Sequence, residues 1–244
     1  MGVEYSRQLA ARGYGLLLVD INPVVEQVAR QVTEQYGVQV RTHLMDLGTP
    51  DAAEELYGFC HQENLPVEVL INNAGVYHDT DILNDSVAFT RTILHLHVTT
   101  PAMLCRLFGE DMRQRGKGYI LNVSSITAHI AVQRLGTYGS TKAFLSAFTR
   151  SLHIELKDYG VRVLAVHPGA VDTGLYSIPR WLTKAGLATG FIVTPRYLVR
   201  RALGALFAGC PSVTVPWLWS KLLLLVVGCI PTVILRLIRK TKLF

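Results

Sequence analysis

The chain has 244 residues, half of them hydrophobic and 17% charged, enough to enclose one sizeable core in a single globular domain. Its net charge of +6 is concentrated at the end. Arg236, Arg239, Lys240 and Lys242 supply four of those charges, so the body before them is close to neutral and a nucleic-acid-binding face is not expected. Four cysteines (Cys60, Cys105, Cys210, Cys229) stand far apart without a C-x-x-C pair, which points to reduced thiols and away from a disulfide framework or a metal site. Met1 leads straight into a polar segment with no secretory leader, so the expected setting is cytoplasmic.

Short apolar, β-branched runs alternate with segments of helical period, the pattern of an α/β protein with a parallel sheet. Residues 3–12 read as helix ended by Gly13, and residues 15–20 as a strand closed by Asp20. Residues 23–36 return to helix, residues 38–44 to strand ending near Asp46, and residues 50–62 to helix. Residues 67–71 form an apolar strand running into Asn72-Asn73-Ala74-Gly75, and one long helix is expected over 86–115. Residues 118–123 make a strand that delivers Ser124 and Ser125 at its end. A helix over 136–158, a strand over 161–166, a helix over 195–208 and a short strand over 213–215 complete the pattern. In an open parallel sheet, ligands sit beyond the carboxyl ends of the strands. Asp20, Asp46, Asn72, Ser125 and Pro168 all fall at such ends.

The segment Tyr138-Gly139-Ser140-Thr141-Lys142 places a phenol and an ammonium four residues apart, on one face of a helix. There the cation can pull a tyrosine pKa of about 10 toward neutrality, so that the phenol exchanges a proton with a carbonyl or alcohol. Ser125, thirteen residues upstream, can orient the same oxygen. These are the parts that a hydride-transfer enzyme needs around its substrate.

Together with Ile71-Asn72-Asn73-Ala74-Gly75 and His167-Pro168-Gly169-Ala170-Val171-Asp172-Thr173, these residues stand in the order and spacing of the short-chain dehydrogenase/reductase family. The chain resembles that family over nearly its whole length. The resemblance implies a single Rossmann-like, doubly wound parallel sheet over residues 1–216, in the order 3-2-1-4-5-6-7. It implies that the first strand, and most of a glycine-rich loop of the form T-G-x-x-x-G-x-G, are missing from this chain. Gly2 matches the last glycine of that loop. The expectation is a start placed too late, a truncation, or a natural short form with impaired dinucleotide binding.

The resemblance further implies roles for single residues. Ser125 would hydrogen-bond the substrate oxygen, with Ser124 its rival, while Tyr138 transfers the proton and Lys142 binds the nicotinamide ribose. Asp20 would accept hydrogen bonds from the adenosine ribose and repel a 2′-phosphate, favouring NAD with NADP possible. Asp46 matches a position that contacts adenine, or is a helix-start acid. Asn72, Ala74 and Gly75 would pack the ribose side, and Pro168, Gly169, Val171 and Thr173 would hold the nicotinamide carboxamide. His97 stands where the family's fourth catalytic residue is usually an asparagine; it is either a tolerated packing substitution or a proton relay in its own right.

Residues 174–195 would form a lid. Leu175, Tyr176, Ile178, Pro179, Trp181, Leu182, Leu187, Phe191 and Ile192 make it apolar, suiting a lipophilic ketone or alcohol, or they cap the core. Residues 217–244 form a tail in which an uncharged stretch over 222–235 follows Trp217 and Trp219 and precedes the basic cluster. Too short for an easy span of about 20 residues, the tail reads as a peripheral contact with the inner membrane surface, a cover over the substrate mouth, or an oligomer contact. A homo-oligomer is expected. The competing expectation from another class is a non-catalytic Rossmann-like scaffold.

Overall fold

The computed structural model describes residues 1–77, 79–131, 133–173 and 180–216. The tail over 217–244, Leu175 to Pro179 of the lid, and Gly174 lie outside the described residues.

Helix α1 (Gly2–Ala10) leads through Gly13, whose φ of 85° suits only a residue without Cβ, into β1 (Leu16–Asp20). Helix α2 (Val24–Tyr36) stops at Gly37 in the left-handed conformation and is followed by β2 (Val40–Leu44), α3 (Ala52–Gln62) and β3 (Val69–Asn72). Helix α4 (Val87–Leu94) is capped by the Ser86 hydroxyl, which accepts from the Phe89 N–H. Helix α5 (Thr100–Arg115), β4 (Gly118–Val123) and α6 (Gly136–Leu156) follow. The chain continues through β5 (Val161–Pro168), β6 (Ala170–Val171), α7 (Arg180–Thr189), β7 (Ile192–Val193), α8 (Pro195–Ala208) and β8 (Ser212–Val215).

One expectation needs correction. The helix read over 86–115 is not continuous: between α4 and α5, residues His95–Thr99 form a π-helical turn. Pro101 has no N–H to give the carbonyl four residues back, so the regular ladder cannot run through this point. Within the segment read as a lid, α7 and β7 form, and β7 pairs with β6, which lies just before that segment, in a small parallel sheet. Their apolar pattern is too short to separate from loop by period alone.

The remaining strands are parallel. β3-β4-β5-β8 form one sheet and β1-β2 another. Side chains alternate across the sheet, as a strand period of two requires. Leu121 and Val123 of β4 and Leu164 and Val166 of β5 pack with Tyr5 and Leu9 of α1 and Leu198, Leu203 and Leu206 of α8. From the other face, Ile120, Val161 and Val163 pack with Leu104, Phe108 and Met112 of α5 and Leu56 of α3. Helices on both faces make this a doubly wound, Rossmann-like single domain.

Between β1 and β3 there is no pairing. A cavity of about 780 Å³ lies there, lined by Leu16–Asp20 on one side and Val69–Asn72 on the other. Among the described residues, no helix is long and apolar enough to cross a membrane.

Candidate active site

The end of strand β4 and helix α6 carry the candidate catalytic residues. β4 ends at Ser124 and Ser125, and the two neighbours diverge. The Ser124 hydroxyl donates to the Lys142 carbonyl at 2.8 Å and so ties β4 to α6. The Ser125 hydroxyl accepts from the Thr127 N–H at 3.2 Å, opening a 3₁₀ turn that packs against α6. Of the two, Ser125 keeps a hydroxyl proton that no backbone carbonyl of α6 holds.

Tyr138 and Lys142 lie on one face of α6, 8% and 5% exposed. The Lys142 Nζ sits 5.7 Å from the Tyr138 ring centroid and donates to the Val123 carbonyl at 3.0 Å. Burial pushes its pKa down to about 8, so the ammonium is held at neutral pH but at the edge of losing its proton. Tyr77 meets the Tyr138 ring edge-on at 5.6 Å.

His97 is brought to the same point by the π-helical turn. It is 1% exposed, and its ring stands 5.7 Å from that of Tyr138. Gly75 closes the group. A Cβ there would lie 2.8 Å from the His97 Nε2 and 3.6 Å from the Lys142 Nζ, so only glycine lets the loop come this close. Gly75, His97, Tyr138 and Lys142, far apart in the chain, therefore meet in space.

The cofactor candidates fall in two places. Gly2, Asp20, Asn72 and Ala74 all line the 780 Å³ cavity. Asn72 turns its amide into the sheet, donating to Asn122 Oδ1 at 2.7 Å, and Asn122 donates to Thr149 of α6 at 2.9 Å. This buried chain fixes β3, β4 and α6 relative to one another. Pro168, Gly169 and Val171 are buried at the end of β5, with Gly169 N–H donating to Val215 O at 2.7 Å. Thr173 stands half-buried just beyond. Asp46 lies apart: it is exposed and its carboxylate accepts from the Gly48 N–H at 2.8 Å, closing a turn.

A nicotinamide dinucleotide fits these residues. Asp20 presents an exposed carboxylate at the end of β1, although one oxygen accepts from the Asn22 N–H at 2.9 Å. The Asn73 Oδ1 and the Tyr5 hydroxyl, both on the cavity wall, are buried without a hydrogen-bond partner among the described residues. Groups of three or more metal-ligating side chains are absent among the described residues.

Some participants had no distinct sequence signal. Val76 contributes a backbone N–H, and Thr141 sits inside the Tyr138–Lys142 motif yet shows its role only through its partners. His167 was read as part of the segment before Gly169. It is buried with Nε2 2.9 Å from the Ser146 hydroxyl and held down to about 4, mainly by burial.

The doubly wound α/β fold, with Ser125 beyond the end of β4 and Tyr138 and Lys142 buried on α6, is the setting of a nucleotide-dependent oxidoreductase that comparison with known proteins defines. Residues 1–178 match the short chain dehydrogenase family, and the chain belongs to it. It is 30% identical over 235 residues to a very-long-chain 3-oxoacyl-CoA reductase of Anas platyrhynchos, covering 91% of this chain and 72% of that protein. It is 31% identical over 239 residues to a protein of the same name from Coprinopsis cinerea, covering 92% and 67%. Among solved structures, a short-chain dehydrogenase from Sphingobium yanoikuyae in complex with NADPH superposes with a TM-score of 0.79 at 25% identity, covering 89% and 84%. The bulky-bulky ketone specific alcohol dehydrogenase of Comamonas testosteroni shares the fold, with a TM-score of 0.76 at 24% identity over 91% and 85%. The chain is thus a short-chain dehydrogenase/reductase, and its cofactor class is NAD(P).

Proposed function

We propose that this protein interconverts a lipophilic alcohol and its ketone or aldehyde, with Ser125, Tyr138 and Lys142 as the catalytic residues and NAD as the preferred cofactor. The observation that carries this reading is the burial of Tyr138 and Lys142 side by side on α6, at the end of the strand that bears Ser125.

In the direction of reduction, Ser125 donates a hydrogen bond to the carbonyl oxygen and holds it toward the Tyr138 phenol. Tyr138 gives that oxygen its proton as the carbonyl carbon is reduced, and the alcohol forms. Lys142, the adjacent cation, stabilises the negative charge left on the phenolate. The bound nicotinamide supplies the hydride, or takes it up in the reverse reaction. Asp20, a carboxylate at the end of β1, favours a ribose with free hydroxyls over one bearing a 2′-phosphate.

Two observations support a lipophilic substrate. Trp181 and Phe191, in the segment read as a lid, are 71% and 44% exposed. The relatives from duck and Coprinopsis carry names of reductases acting on very long acyl chains. The test is turnover of a panel of ketones, from short and hydrophilic to long-chain acyl, with NADH and with NADPH. Preference rising with chain length would support the reading. Turnover of small hydrophilic ketones alone would overturn the substrate class, and preference for NADPH would overturn the role of Asp20.

One observation favours the scaffold reading instead: β1 and β3 leave a 780 Å³ cavity between them beside the cofactor candidates. Calorimetric titration of NADH separates the two. A scaffold shows neither binding nor turnover.

A further inference from the structure

The His97 imidazole has both nitrogens engaged, and the partners fix which of them carries hydrogen. The Val76 backbone N–H donates to Nε2 at 3.0 Å, so Nε2 is bare. The Thr141 hydroxyl donates to the Tyr138 carbonyl at 2.7 Å, so it accepts, from Nδ1–H, at 3.1 Å. The bonds run in one direction, from the loop after Gly75 through the imidazole to the first turn of α6. An imidazolium would point a proton at the Val76 N–H and break the run.

We propose, on the basis of the Ser-Tyr-Lys reading above, that His97 is a positioning residue. It acts as a neutral clamp, locked in the Nδ1–H tautomer, that holds the Gly75–Val76 loop at a fixed distance from Tyr138. This replaces the proton-relay reading of His97. A relay must accept and release a proton at a nitrogen open to the next carrier, and neither nitrogen is open.

The surroundings hold the clamp in this state. Lys142 and Tyr138 of α6 are the titratable groups that face the ring, and Gly75 and Val76 cover it from the loop. Burial and the nearby Lys142 ammonium push the His97 pKa down to about 2, so no physiological pH charges it. The π-helical turn over His95–Thr99 and the glycine at position 75 both serve the same contact, one by bringing the imidazole inward and the other by leaving room for it.

The experiment uses the full chain. Nitrogen-15 imidazole spectra of the wild type are expected to show His97 neutral, with hydrogen on Nδ1, from about pH 5 to pH 8. Titration in that range, or hydrogen on Nε2, would overturn the proposal whether or not any substrate is turned over. The failure of the proposed activity is thereby distinguished from the failure of the clamp. In a substrate that reports turnover, His97→Leu should lower kcat about 100-fold, the cost of small misplacements at a reacting centre, with KM and the shape of the pH profile kept. His97→Gln, whose amide offers one acceptor and one donor, should recover most of that loss. A His97→Leu protein that loses a limb of the pH profile would be evidence for the relay. Should His97→Leu fail to fold, Thr141→Val removes the other end of the clamp, and unchanged kcat there would overturn the proposal.

Discussion

β4 and β5 each have a hydrogen-bonded strand on both sides and helices on both faces, whereas β1 pairs only with β2 and turns its other edge to a 780 Å³ cavity. The first region holds Ser125, Tyr138, Lys142 and His97, tied together by hydrogen bonds from the Ser124 hydroxyl to the Lys142 carbonyl, from Lys142 to the Val123 carbonyl and from the Val76 N–H to His97. The second holds Asp20, with Gly2, Asn72 and Ala74 also on the cavity wall. The half that would perform the proton chemistry is pre-organised. The half that would bind the adenosine end is open. Buried strand edges carry unpaired N–H and C=O groups at a real cost, so the two halves should differ in stability as well as in role.

The largest effect expected is on the closed half. Tyr138→Phe should lower turnover 10²–10⁴-fold, the usual worth of a positioned acid–base group, while NADH affinity by calorimetry stays close to that of wild type. Retention of more than about a tenth of the rate would remove Tyr138 from the reaction.

Hydrogen exchange tests the contrast directly. Amides of Ile120 and Leu164, in the β4–β5 ladder, should exchange about 100-fold more slowly than those of Leu16 and Leu18, in the β1–β2 ladder, because opening beside a cavity exposes fewer packed contacts. Equal protection in the two regions would break the comparison.

On the open half, Asp20→Ala should narrow the preference for NADH over NADPH by about tenfold, equivalent to ~1.4 kcal/mol, by removing charge repulsion with a 2′-phosphate. Relative kcat/KM for the two cofactors reports this. An unchanged ratio would mean that the carboxylate does not face the ribose.

The smallest effect concerns the cost of holding Lys142 buried. Its pKa falls from 10.5 to about 8 on folding. Between those values the unfolded chain binds more protons than the folded one, so this residue's contribution makes stability rise with pH across about 8 to 10.5. Below pH 8 the buried ammonium is a constant burden. Lys142→Met should therefore be inactive yet more stable than wild type at pH 7 by about 1 kcal/mol, with the difference shrinking at pH 9.5. Denaturant midpoints at the two pH values measure it, and a variant less stable at pH 7 would show that the bond to Val123 outweighs the buried charge.

Much of this was legible in order and spacing. The alternation of apolar runs with helical segments fixes a parallel α/β sheet, because both periods follow from backbone geometry alone. Strand β4 ends where expected, at Val123, and α6 begins at Gly136, so the four-residue spacing of Tyr138 and Lys142 does place them on one helical face. The stretch over 217–244 is still read from composition alone.

What the sequence by itself determined, then, is which residues stand at strand ends and share a helix face, since these depend on the local repeat of the chain. Tertiary structure decided the rest. It paired the Ser124 hydroxyl with the Lys142 carbonyl and the Ser125 hydroxyl with the Thr127 N–H, though adjacent serines look alike in sequence. It turned Asn72 into the sheet and Asp46 onto its own turn. It broke the long helix at His95–Thr99, carried the His97 ring against Gly75, and gave each of its nitrogens a partner from a different part of the chain. Such assignments depend on distances between residues remote in sequence, and those are set only when the two faces of the sheet are packed.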